Sequence, residues 1–144
     1  MNKYLLIMLI ALIISLIGGI VYISSINKPS ANVLGAVSSF SELTPSQFDQ
    51  AIKSKQFKLI DVRTIDEYNS GHIKGATEND FYQTQAFSNY LSKLDKDGKY
   101  LIYCHTGRRS GLTLGTMQQM GFKTVYDLGG GYAAWTAAGL PTEK

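Results

Sequence analysis

From residue 41 onward the sequence predicts an α/β domain built on a mainly parallel sheet, and three observations carry that reading. Short apolar strands alternate with helix-length segments along the chain. Two of those helices announce their start with a capping box, Thr44 with Gln47 and Thr64 with Glu67. A buried-looking strand, "KYLIYC", runs directly into a polar, glycine-containing loop that carries the only cysteine, Cys104. In sheets of this kind ligands bind beyond the carboxyl ends of the strands, and Cys104 stands at such an end.

Each element has its own local reason. "TPSQFDQAIKSK" places Pro45 at the first helical position after Thr44, with Phe48, Ala51 and Ile52 on one face. "FKLIDV" (57–62) reads as a strand, and "TIDEYNSG" as a short helix ending at Gly71. Residues 84–94 are expected to be helical, "DKDG" (95–98) a turn, and "KYLIYC" (99–104) a strand buried on both faces. A helix over 109–120 ends at Gly121, "KTVYDL" (123–128) is the next strand, and "YAAWTAAG" a last short helix after three glycines.

The first 26 residues differ in kind. From Tyr4 to Ile26 there are 23 residues without a charge, roughly 34 Å of helix at about 1.5 Å per residue. Residues 1–26 are expected to form a transmembrane anchor or uncleaved signal, with 4–26 in the membrane; a cleaved signal peptide is the alternative. Lys3 and the α-amine before the span against Lys28 after it place the remaining chain on the extracytoplasmic side. Residues 27–40, "NKPSANVLGAVSSF", read as a linker, leaving 41–144 as the folded domain. After residue 35 there are twelve basic and eleven acidic residues, so nothing calls for a nucleic-acid partner. A single cysteine excludes an intrachain disulfide.

The loop itself, "CHTGRRSG", reads as chemistry. A thiolate is the reactive form of cysteine, and a helix N-terminus and neighbouring arginines favour it. Gly107 lets the backbone curl around a bound group, and Arg108 and Arg109 suit an oxyanion. A buried, inert cysteine would not require so polar a run downstream.

Three segments, "LIDVRTIDEYNSGHIKGA" (59–76), "YCHTGRRSG" (103–111) and "GGGYAAWTAAGLP" (129–141), together resemble the signature segments of the rhodanese-like domain family. The resemblance covers about residues 42–141 and implies a five-stranded, mainly parallel sheet with helices on both faces. It implies a sulfurtransferase that carries sulfur as a persulfide on Cys104. The donor would be thiosulfate or a related sulfane anion, and the acceptor a thiol or cyanide. Six residues from Cys104 to Arg109 match the family's sulfurtransferase loop, whereas its phosphatases carry an arginine one position later, where this chain has Ser110.

On that resemblance His105, Thr106, Gly107, Arg108, Arg109 and Ser110 bind the substrate, with backbone N–H groups from His105 to Ser110 holding the persulfide. Arg108 is expected to face the donor, and Arg109 to brace the loop with its fork. Asp61 and Arg63 are expected to support the loop, Asp61 by bonding it or pairing with an arginine. His72 and Glu67 read as framework, and a lone His72 is no metal site. Trp135 reads as core. No metal or organic cofactor is expected. "TENDFY" (77–82) is more polar than the apolar strand the family has there, which leaves its packing open. A module that only carries sulfur or docks a partner is the competing function.

Overall fold

Thr44 ends one element and starts the next. In the computed structural model, which describes residues 39–144, strand β1 (Phe40–Leu43) leads directly into helix α1 (Pro45–Lys53). Thr44 stays extended. Its hydroxyl accepts the Gln47 N–H at 3.4 Å, and the Gln47 side-chain oxygen accepts the Thr44 N–H at 3.0 Å. The same reciprocal pair, Thr64 with Glu67, opens α2 (Ile65–Ser70). The other elements are β2 (Lys58–Asp61), β3 (His72–Ile73), β4 (Thr77–Glu78), α3 (Thr84–Lys93) and β5 (Lys99–Tyr103). They continue with α4 (Arg108–Gln119), β6 (Thr124–Leu128), α5 (Gly131–Ala137) and β7 (Thr142–Glu143).

Five strands form one parallel sheet in the order β1-β6-β5-β2-β4, and β3 pairs antiparallel with β7 in a separate two-stranded ribbon. β5 lies at the centre, and its alternation explains why it reads as continuously apolar. Tyr100, Ile102 and Cys104 face one layer with Phe87 and Leu91 of α3 and Met117 of α4. Leu101 and Tyr103 face the other, with Phe48 and Ala51 of α1 and Trp135 of α5. Trp135 is core as expected, and its indole N–H donates to the Pro141 carbonyl at 3.0 Å. Because all five strands run the same way, the ends of β5, β2 and β6 open onto one edge, with Cys104 in the middle.

Three features depart from the expectations. Phe40, placed at the end of the linker, already belongs to β1, which pairs with β6 from Phe40↔Val125 onward. β3 and β7 are two residues each and carry no periodic signal. The polar "TENDFY" contains only the two-residue β4 at the sheet edge, paired with Ile60 and Asp61. An edge strand needs no apolar alternation on both faces, so its polarity is compatible with the fold. The expected span 4–26 and nearly all of the expected linker lie outside the described residues. Among the described residues no helix is long and apolar enough to cross a membrane.

Candidate active site

The strand ends at Tyr103, the next helix begins at Arg108, and the intervening loop wraps the sulfur of Cys104. The residue before α4, Gly107 at φ 98°, has no side chain with which to cap the helix. The cap is the cysteine sulfur. Cys104 Sγ accepts the Gly107 N–H at 3.1 Å and faces the Ser110 hydroxyl at 3.4 Å, and the Thr106 and Ser110 N–H groups also bond to it. Burial by itself would raise the thiol's pKa. The hydroxyl and the three N–H donors outweigh that and hold it below its ordinary value. Of the six N–H groups from His105 to Ser110 expected to hold the sulfur, Thr106, Gly107 and Ser110 supply the bonds.

The two arginines differ, Arg108 exposed and Arg109 buried, and Arg109 braces Glu67. Arg108 is exposed and makes no side-chain hydrogen bond or ion pair among the described residues. Arg109 is buried, and its fork grips Glu67 rather than loop carbonyls, with bonds of 2.8 Å to Oε2 and 2.7 Å to Oε1. Tyr82 lies beneath the same guanidinium, with 5.4 Å to its ring centroid. The Arg109 fork first of all, with the Thr64 bonds, holds the Glu67 carboxyl down at about 2, against the pull of its partial burial. Glu67, read from the sequence as framework, therefore links the cap of α2 to the cysteine loop.

Asp61 and Arg63 bond to each other instead of to the loop. The buried Arg63 donates to both Asp61 oxygens, at 2.7 Å for the shortest contact, and to the Gly71 carbonyl at 2.8 Å. Their support is relayed. The Arg63 guanidinium lies 4.1 Å from the Tyr132 ring centroid, and the Tyr132 N–H donates to the Cys104 carbonyl at 2.8 Å. Ala133 N–H holds the His105 carbonyl at 3.0 Å, so the start of α5 fastens the first half of the loop. The side chains of His105 and Thr106 are exposed. His72 stacks on Tyr68, with ring centroids 3.7 Å apart, away from the loop.

Two residues escaped the sequence reading. Gly131 sits at φ 62°, and a Cβ there would stand 2.6 Å from the Cys104 carbonyl oxygen. The three glycines signal a close approach, but not to what. Asp127, near the end of β6, is 2% exposed, and its Oδ1 has no hydrogen-bond partner. It lies in register with Ile102 of the cysteine strand. A carboxylate near the end of a central parallel strand was the available signal, the same that singled out Asp61.

A central strand delivering a cysteine into a ring of N–H donors, on a five-stranded parallel sheet, defines an α/β domain with a loop that stabilises a thiolate. Residues 44–138 match the rhodanese-like domain model, and the chain belongs to that family. The thiosulfate sulfurtransferase GlpE of Shewanella oneidensis is 29% identical over 102 residues, which cover 71% of this chain and 98% of that protein. The candidate sulfur carrier protein YrkF of Bacillus subtilis is 34% identical over 100 residues, covering 69% of this chain but only 52% of its own length. Among solved structures, the Alr3790 protein of Anabaena matches at a TM-score of 0.62 and 28% identity, over 70% of this chain and 81% of that one. A rhodanese-related protein of Thermoplasma volcanium matches the fold at a TM-score of 0.63 and 23% identity, over 72% and 98%.

Proposed function

We propose that this protein is a sulfurtransferase that takes a sulfane sulfur from thiosulfate or a related anion and passes it to a thiol or cyanide through a persulfide on Cys104. The ring of donors at Cys104 Sγ is the observation that carries this reading. The thiolate attacks the outer sulfur of thiosulfate. A new S–S bond forms as the donor's S–S bond breaks, and sulfite leaves with the electron pair. The terminal sulfur then bears the negative charge, and hydrogen-bond donors aimed at an anion in a water-poor site stabilise it. The exposed His105, Thr106 and Arg108 flank the approach, and Arg108 meets the donor's sulfonate oxygens. A thiolate or cyanide attacks the outer sulfur in turn and restores the Cys104 thiolate.

Thiosulfate:cyanide turnover, read as thiocyanate and sulfite, tests this. Cys104→Ser should abolish it, and thiosulfate should add about 32 Da, one sulfur, to the wild-type protein alone. A sulfur adduct on the Ser variant would overturn the assignment. A pure sulfur carrier is the second reading, favoured by the similarity to YrkF. It predicts the adduct without multiple turnover to small acceptors.

The uncharged run of residues 4–26 supports a retained membrane anchor with the domain on the extracytoplasmic side. Fractionation and protease access in spheroplasts test both. Recovery in the soluble fraction would remove the anchor, and a domain protected until lysis would reverse the orientation.

A further inference from the structure

Ser110 stands between two buried acids and has one hydroxyl hydrogen to give. Its side chain is fully buried, 3.2 Å from the Gly107 carbonyl oxygen and 3.4 Å from Cys104 Sγ, and it also reaches the Asp127 carboxyl. Asp127 approaches from the neighbouring strand. Its Oδ2 lies close under the first turn of α4, 3.7 Å from where a Cβ on Gly111 would be. Its Oδ1 is buried without a partner. Among the described residues no cation pairs with this carboxyl. The charged or titratable groups facing it are Glu42, its register partner on β1, and, through Ser110, Cys104 at the end of β5.

We propose that Asp127 is a positioning residue for Cys104, acting through Ser110, and that its protonation decides whether the Ser110 hydrogen points at sulfur or away from it. This rests on the reading of Cys104 as the sulfur-accepting thiolate. When Asp127 is ionised, Ser110 donates to the carboxylate and the sulfur loses that donor. When Asp127 is protonated, its own O–H donates to Ser110, and the Ser110 hydrogen turns to the thiolate or persulfide, an anion and so a stronger acceptor than the neighbouring Gly107 carbonyl. The two states interconvert without loss of a proton to solvent. The Cys104 S–H proton moves to Ser110 Oγ as the Ser110 proton moves to Asp127, leaving a thiolate facing a hydroxyl and a neutral carboxyl behind it. One negative charge is shared between the two acids, so they titrate as a pair. Burial first of all, together with Glu42, pushes the Asp127 carboxyl up to about 7, toward the pKa of Cys104, which its donors hold below its ordinary value.

The chain has one cysteine, so the ultraviolet thiolate absorbance, taken as a difference against Cys104→Ser, reports Cys104 alone and needs no sulfur donor. The wild type should ionise in two overlapping steps between about pH 5 and 9. Asp127→Asn should leave a single step at lower pH, because the amide stays neutral and can still donate to Ser110. Asp127→Ala, neutral and without a donor, should also give one step. Ser110→Ala should move ionisation upward, lowering the thiolate fraction near pH 6 by about tenfold per unit. In the Ser110→Ala background, Asp127→Asn should change the curve little. A wild-type curve matching Asp127→Asn would overturn the proposal. So would an Asp127→Asn shift of equal size with and without Ser110, which would mean charge acting through space. Coupled titration in a protein that transfers no sulfur would defeat the functional reading and leave this inference standing. Turnover with uncoupled titration would do the reverse.

Discussion

Glu67 and Arg109 meet 42 residues apart in sequence through two bonds of 2.7 and 2.8 Å, joining the helix after β2 to the helix after β5. The same Glu67 oxygen that takes an Arg109 hydrogen also caps Thr64, so the pair locks the cysteine loop to a second element. Glu67→Gln should therefore lower kcat more than it raises KM, because it loosens the loop rather than the donor contact. Arg109→Lys should do the same, since a point charge cannot replace a two-pronged fork.

The pair also sets a pH dependence. Glu67 in the folded protein titrates at about 2, below its ordinary 4.5. Its stabilisation is thus complete above about pH 4.5 and lost as pH falls toward 2. With the Glu67 side chain 30% exposed, solvent screening keeps the contribution to about 1–2 kcal/mol. Chemical denaturation at pH 7 and pH 3 should show the wild type losing more than half of this increment while Glu67→Gln does not. Parallel losses in both proteins would show that the pair contributes nothing to acid stability.

Arg108→Ala should act differently. Its side chain holds nothing in the fold, so melting temperature should stay unchanged while the KM for thiosulfate rises about tenfold, the equivalent of one charge-assisted hydrogen bond. A neutral or thiol-bound sulfane donor should feel the substitution less. Equal losses with charged and uncharged donors would remove Arg108 from donor binding.

What could be read in the sequence was whatever a few adjacent residues decide. Thr44–Gln47 and Thr64–Glu67 are local hydrogen-bonded boxes, and both formed as expected. β5 is buried on both faces, and its unbroken apolar run shows it. The thiolate loop was legible because Cys104, Gly107 and Ser110 lie within seven residues of one another. The partner of Arg109 was not, because nothing near residue 109 points to residue 67. Phe40–Leu43 is a strand because β6 offers it an edge, and "FSEL" has no alternation of its own. Asp127 lies in an apolar strand whose neighbours give no sign that Ser110 stands opposite.

Gly131→Ala should cost more than the same change at Gly139. At φ 62° an alanine is strained by about 1–2 kcal/mol, and its Cβ would press on the Cys104 and His105 carbonyls. Those are backbone atoms held by Tyr132 and Ala133, so the loop must move as a unit. Gly139 is the control, because its φ of 68° is similar but nothing lies within 4 Å of its Cβ position. Gly139→Ala should lose stability alone. Gly131→Ala should lose more than about 2 kcal/mol by thermal or urea unfolding, and most sulfur transfer with it. Equal effects at the two positions would mean that the close approach of Gly131 to the loop has no energetic weight.

Asp127 should tilt stability against pH, in the opposite sense to Glu67. Its carboxyl titrates near 7 in the folded protein against an ordinary 3.8. Between those values the folded state holds a proton that the unfolded chain has lost. Stability therefore falls as pH rises, and the favourable contribution present below about pH 3.8 is gone above 7. Cys104 works the other way. Its folded value lies below 9.0, so in the interval just below 9.0 the unfolded chain binds the extra proton and stability rises with pH. The two slopes partly cancel in the wild type, and the effect appears only by comparing variants. From about pH 5 to pH 8, Asp127→Asn should gain stability relative to the wild type, because the falling contribution is removed while the rising one of Cys104 is kept or increased. Cys104→Ser should lose stability relative to the wild type as pH rises toward 9.0. Urea unfolding at three or four pH values resolves both trends. If Asp127→Asn runs parallel to the wild type, the carboxyl does not carry its proton into the neutral range.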